Sequence, residues 1–224
     1  MPQLLKVQNL FLSSDGFGAG EGQSLERPFG HANPAELASW AGATASWPNR
    51  TDPGGSRGLD DYFTRDFLNN IGAEIMGRNK FSPYRGPHDL EWQGWWGDEP
   101  PFRTPVFVMT HHPHPTIDFA NGTSFRFVDG SPHEVLRQAQ EAAGDRDVRI
   151  GGGPSTVRQF LQADLVDFMH LVVVPITLGR GVSLLERCSG VEDRFTIESV
   201  TSASGLVHQL WNREQPADPA DTVQ

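Results

Sequence analysis

The segment Asp147-Val148-Arg149-Ile150-Gly151-Gly152-Gly153-Pro154-Ser155-Thr156 constrains the fold more than any other stretch of this chain. Its first four residues read as a short strand, the glycines end it, and Val157, Phe160 and Leu161 share one face of a helix opened by Pro154. The first turn of such a helix carries unpaired N–H groups and the positive end of the dipole, a setting that favours an anion. Glycine lets that anion approach the backbone without a Cβ in the way. No Gly-Lys-Ser/Thr follows, so this is not a nucleotide-triphosphatase loop, and Thr156 stands where the dinucleotide fingerprint has its third glycine. Two readings stay open: a phosphate-binding corner, or a tight turn with no ligand.

A second corner of the same kind lies upstream. Residues 73–76 read as a strand that runs directly into Gly77-Arg78-Asn79-Lys80, where Arg78 and Lys80 bring fixed positive charge. Two separated phosphate-friendly turns suggest a ligand with two anionic groups; the alternative is an ordinary strand-to-helix corner with solvent-facing bases.

Around these corners strands and helices alternate. Residues 4–12 read as a buried first strand entering the glycine-containing stretch 13–20. Residues 21–57 have little pattern apart from a short helix over 34–42, with Asn33 as its cap and Pro34 at its first position. A stretch of this kind is a lid, an oligomer contact or disorder. Leu59, Tyr62, Phe63, Phe67 and Ile71 recur at helical spacing. Residues 105–109 and 125–128 read as strands, and Ser131-Pro132-His133-Glu134 is a capping box opening a helix that stops at Gly144. The unbroken apolar run within 168–174 suits a strand covered on both sides. Residues 194–200 and 206–211 flank Ser202-Ala203-Ser204-Gly205 as a hairpin. The pattern predicts a mixed sheet wrapped by helices, one domain over 1–213 with an irregular insertion at about 21–57, and a loose tail over 214–224.

Charge and cysteine content exclude several classes. Acids outnumber bases 28 to 18, a formal charge of -10, which argues against a nucleic-acid binder that must neutralise phosphates. The single cysteine, Cys188, allows no intrachain disulfide and no thiolate cluster for zinc or iron–sulfur. No apolar run approaches the roughly 18–20 residues that span a bilayer, and the N-terminus lacks the long apolar core of a signal peptide. The expectation is a cytoplasmic protein with no membrane partner.

With these corners in view, the chain resembles a known family. Met76-Gly77-Arg78 after a strand is similar to the dihydrofolate reductase superfamily. The stretch 151–160, then Leu165-Val166-Asp167 and the stretch 174–181, resembles more closely the C-terminal reductase domain of bifunctional riboflavin-biosynthesis deaminase-reductases and its stand-alone relatives. Ser14-Asp15-Gly16-Phe17 is similar to that family's first-strand exit. No Cys/His zinc signature of a deaminase half accompanies it. The resemblance implies an α/β fold, a three-layer α/β/α dihydrofolate-reductase-like mixed sheet with a C-terminal antiparallel hairpin. It also implies a homodimer, an NADPH cofactor and hydride transfer to a pterin, folate or riboflavin-precursor-like ring, as in 5-amino-6-(5-phosphoribosylamino)uracil reductases. On matched positions Gly152, Gly153 and Ser155 contact the pyrophosphate, with Thr156 also counted as cofactor-binding, Gly77, Arg78 and Asn79 flank the phosphates, and Gly18 and Ala19 lie near the nicotinamide. Thr110, His111 and His112 follow the strand whose exit meets the adenosine 2′-phosphate, and Lys80 departs from the usual threonine.

Reduction of a C=N bond also needs a proton, which a poorly solvated carboxyl can supply. The helix before Met76-Gly77-Arg78 offers Asp60, Asp61 and Asp66. Spacing to Gly77 resembles the family best for Asp61, whereas helical periodicity sets Asp60 and Asp66 at the edges of the apolar stripe and Asp61 outside it. Asp61 is preferred, with a solvated helix face as the alternative. Trp92, Trp95 and Trp96 either stack on a planar substrate or serve packing. His111, His112 and His114 are held extended by prolines with no carboxylate nearby in sequence, so no metal is expected there. The leading function is an NADPH-dependent reductase; the alternative is a nicotinamide- or flavin-nucleotide-binding protein without turnover.

Overall fold

Apolar runs that bury both faces pair into parallel strands, and in this chain they build the middle of one sheet. The computed structural model describes residues 3–48, 50, 52–84, 86–87 and 89–214. The expected tail beyond 214 lies outside the described residues. The strands are β1 (Leu5–Ser13), β2 (Ile71–Gly77), β3 (Pro105–Met109), β4 (Ile117–Asp118), β5 (Ser124–Val128), β6 (Asp147–Gly152), β7 (Phe168–Val174), β8 (Phe195–Thr201) and β9 (Val207–Arg213). Among the described residues the sheet order is β4-β5-β3-β2-β6-β1-β7-β9-β8. The strands from β5 to β7 in that order run parallel, while β4, β9 and β8 pair antiparallel with their neighbours.

Alternation along each strand sends side chains to opposite faces. One face packs Val7, Ile75, Val148 and Met169 against α5 (Pro132–Ala143) and α6 (Pro154–Gln162). The Ser131 capping box forms with both reciprocal bonds, and α5 ends at Gly144 with φ 69°. Val157, Phe160 and Leu161 bury fully from α6, each contributing roughly 1.5–3 kcal/mol. The other face lies beneath α3 (Leu59–Arg65) and the insertion, which folds as α1 (Pro34–Leu37) and α2 (Ser39–Gly42). No helix among the described residues is long and apolar enough to cross a membrane.

Three local expectations change. The helix over 34–42 divides at Ala38, although Asn33 Oδ1 caps it by accepting from Ala35 N at 3.0 Å. The helical stripe 59–71 ends at Arg65: Asn70 takes a left-handed φ of 57°, and Ile71 already opens β2. Asp61 is 2% exposed rather than outside the stripe, because the insertion covers that side of α3; its Oδ1 accepts from Ser46 N at 2.6 Å, and Thr44 and Thr64 meet at 2.8 Å.

Candidate active site at the carboxyl rim of the sheet

Parallel strands deliver their C-terminal exits to one rim, where α/β proteins bind ligands. Register brings the two glycine corners together there: Met76 pairs with Gly152 across β2 and β6, and Gly77 pairs with Met109 across β2 and β3. They touch. A Cβ on Gly77 would stand 2.1 Å from Thr156 Oγ1, so only glycine lets α6 seat against this strand exit. The loop after β1 closes in as well, since a Cβ on Gly18 would fall 2.4 Å from Pro154 Cγ.

A cavity of about 770 Å³ opens at this junction. Gly18, Ala19, Gly77, Arg78, Asn79, Gly152, Gly153, Ser155 and Thr156 all line it, as do Trp95 and Trp96. The N-terminus of α6 has no side-chain cap, and a Cβ on Gly153 would meet nothing within 4 Å, so the turn faces open space. The charged side chains of the described lining are Arg78 and Lys80; no carboxylate is among them.

Other singled-out residues lie elsewhere. Thr110, His111 and His112 follow β3 one strand beyond Gly77, outside the cavity wall. His111 Nδ1 pairs with Asp129 at 2.8 Å on an exposed surface, and Thr110 Oγ1 accepts from His112 N. His114 packs 4.3 Å from Phe127. Trp92 backs the wall rather than lining it: its Nε1 donates to Phe81 O at 2.8 Å and its ring meets Trp95 edge-on at 4.9 Å.

None of the three aspartates reaches the cavity. Asp66 is exposed at the end of α3. Asp61 is buried under the insertion, 3.7 Å from Arg65. Asp60 accepts from His208 Nε2 at 2.8 Å and Ser204 Oγ at 2.7 Å. Burial pulls the Asp60 carboxyl up, but bonds from His208, Ser204 and Ser202 outweigh it and hold the group below the usual carboxylate range. His208 Nδ1 in turn meets His170 Nε2 at 2.9 Å, and burial drives the His170 pKa down to about 3.

Several lining residues carry no sequence signal. Gln8 and Asn9 sit at a β-bulge where the β1–β7 register shifts, with Asn9 at φ 53°. Their amide nitrogens donate to Asp66 O at 3.3 Å and Phe63 O at 3.4 Å, which orients both amides and leaves Gln8 Oε1 and Asn9 Oδ1 buried with no partner among the described residues. Phe67 and Trp47 meet at 5.3 Å as another part of the wall. Beneath the glycine turn, Lys80 donates to Gly151 O, and Arg149 is ion-paired with Glu74, donates to Phe67 O and lies 3.7 Å over the Phe67 ring.

A mixed sheet with a rim cleft of this design defines the dihydrofolate-reductase-like class of fold. Residues 8–205 match the RibD C-terminal domain, and the chain belongs to that family. Among solved structures it is similar to a riboflavin biosynthesis protein from Shewanella sp. PV-4, with 21% identity and a TM-score of 0.59 over 95% of this chain and 99% of that one. Enterococcus faecalis dihydrofolate reductase, complexed with NADP(H) and RAB-propyl, aligns at 13% identity and a TM-score of 0.52, covering 95% and 97%. Acinetobacter baumannii RibD aligns at 13% and 0.52, covering 95% of this chain and 58% of that one. No curated protein sequence matches the chain significantly.

Proposed function

We propose that this chain is an NADPH-dependent reductase transferring hydride to a small heteroaromatic substrate of the pterin, folate or riboflavin-precursor kind. The observation that carries the reading is the meeting of two glycine strand exits at one rim, with Arg78 and Lys80 in the wall and no carboxylate in its described lining. The residues fit a dinucleotide: α6 opens uncapped onto the cavity, and Gly153 leaves room that a side chain would fill. NADPH supplies the hydride when bound. Gly152, Gly153, Ser155 and Thr156 hold the pyrophosphate, and Gly77, Arg78 and Asn79 flank it. Gly18 and Ala19 border the nicotinamide; Thr110, His111 and His112 extend toward the 2′-phosphate. Trp95, Trp96, Trp47 and Phe67 give a planar ring its aromatic walls, and Trp92 braces them. Because Asp60, Asp61 and Asp66 stand behind the wall, the proton for the substrate nitrogen is assigned to none of them.

The test is NADPH titration followed by tryptophan fluorescence, then NADPH oxidation with dihydrofolate and ribosylaminopyrimidine substrates. Saturable binding and turnover with one of them are expected. Gly153→Val sends its side chain into the cradle and should bind NADPH about ten-fold or more weakly than the native protein. Absence of binding removes the proposal. Binding without oxidation across the panel favours the second reading, a nucleotide-binding protein without turnover.

A further inference from the structure

We propose that Lys80 is a positioning residue that makes nucleotide binding proton-linked: it holds the Gly151 carbonyl from below and takes up a proton as the anionic part of the ligand enters the turn. The inference rests on the nucleotide-binding reading above. Its ground is a charge cluster at the cradle in which Glu74 and Arg149 are buried and Lys80 is half-buried. Lys80 reaches from α4 (Arg78–Phe81) to donate to Gly151 O, and its stem passes beneath Gly152. A Cβ on Gly151 would stand 2.8 Å from Glu74 Oε2 and 3.3 Å from Lys80 Nζ, so both charges press on the backbone of the turn.

The groups facing Lys80 are Glu74 from β2 and Arg149 from β6, with Arg78 on its own helix; β3 brings no titratable side chain. Glu74 is already claimed by Arg149, so it compensates Lys80 incompletely, although Glu74 Oε2 has no hydrogen-bond partner among the described residues. Burial, reinforced by Arg149 and opposed by Glu74, lowers the Lys80 pKa to about 8. A phosphate above the turn adds the negative charge that the cluster lacks and favours the ammonium form. Linkage then fixes the sign: the free protein loses the Lys80 proton above pH 8, the complex keeps it, and affinity falls as pH rises.

The experiment measures NADPH affinity from pH 7 to 9.5 for the native protein, Lys80→Met and Lys80→Arg, together with proton uptake on binding in weak buffer. If binding restores an ordinary lysine pKa, native affinity drops about ten-fold or more across that range, with up to one proton taken up at the alkaline end. Lys80→Met should bind weakly with a flat profile, and Lys80→Arg, which keeps its charge, should bind more tightly than Lys80→Met, also with a flat profile. A native profile that is flat, or a slope that survives in Lys80→Met, overturns the role of Lys80 while leaving nucleotide binding intact. Failure of the native protein to bind NADPH at pH 7 instead removes the functional reading on which it stands.

Discussion

Two buried polar clusters occupy the same face of the sheet, and they are built on opposite plans. The Asp60–His208–His170 chain is closed. Its carboxylate accepts from His208, whose other nitrogen is hydrogen-bonded to His170, and Phe63 stacks 4.3–4.5 Å over both rings. These bonds fix α3 to β7 and β9. The Glu74–Arg149–Lys80 cluster is open. It carries one more cation than anion, retains a buried oxygen with no hydrogen-bond partner among the described residues, and ends on the backbone of the glycine turn beside the cavity. Satisfied networks rigidify a fold, whereas a network short of one charge responds to whatever supplies it.

The hardest blow to the comparison comes from Arg149, which is 1% exposed. Arg149→Met strands Glu74 in the interior, and the expected loss is about 3–5 kcal/mol of unfolding free energy in urea. Glu74→Met combined with Arg149→Met removes both members of the buried ion pair and should recover most of that loss. If the open cluster serves the ligand, the recovered double variant still binds NADPH poorly. Full recovery of both stability and binding would make this cluster as purely structural as the closed one.

The closed chain predicts a smaller, pH-dependent effect. His170 has a folded pKa of about 3 against 6.5 when unfolded, so between those values the unfolded chain binds the extra proton. The stabilisation it represents is complete above pH 6.5 and is lost as pH falls toward 3, at about 1.4 kcal/mol per pH unit. Asp60, held low by His208, adds its own loss only below the ordinary carboxylate range. His170→Phe should therefore show a shallower decline of urea midpoint between pH 6.5 and 4.5 than the native protein. An unchanged slope would mean that the acid sensitivity resides elsewhere.

Sequence showed the open cluster's surroundings better than the cluster itself. The Gly151–Gly153 turn, the Asn33 cap and the Ser131 capping box are written in a few consecutive residues, and local chemistry settles them. The apolar run of β7 is legible for the same reason. Burial of Asp61 is not local: it depends on Ser46 arriving from an insertion whose path has no periodic signal. The same holds for the Gln8–Asn9 bulge, since an asparagine with positive φ inside an apolar strand looks like any other strand residue. Lys80 reads as a solvent-facing base after a strand; only the register of Glu74 with Arg149 shows that it points under the turn.

The mildest test sets both buried clusters against a hydrogen-bonded pair in solvent. His111 and Asp129 meet at 2.8 Å, but their side chains are 90% and 65% exposed, so water screens whatever the pair offers. His111→Ala should leave the urea midpoint unchanged. Its position one strand beyond Gly77 matters only for a ligand that extends along the rim, and a 2′-phosphate there distinguishes NADPH from NADH. The expected result is an NADPH affinity about two- to five-fold weaker, with NADH unaffected, shrinking further as salt is raised. Equal losses for the two nucleotides would remove His111 from the 2′-phosphate and confine the anion-binding part of the rim to the corners where Gly77 and Thr156 touch.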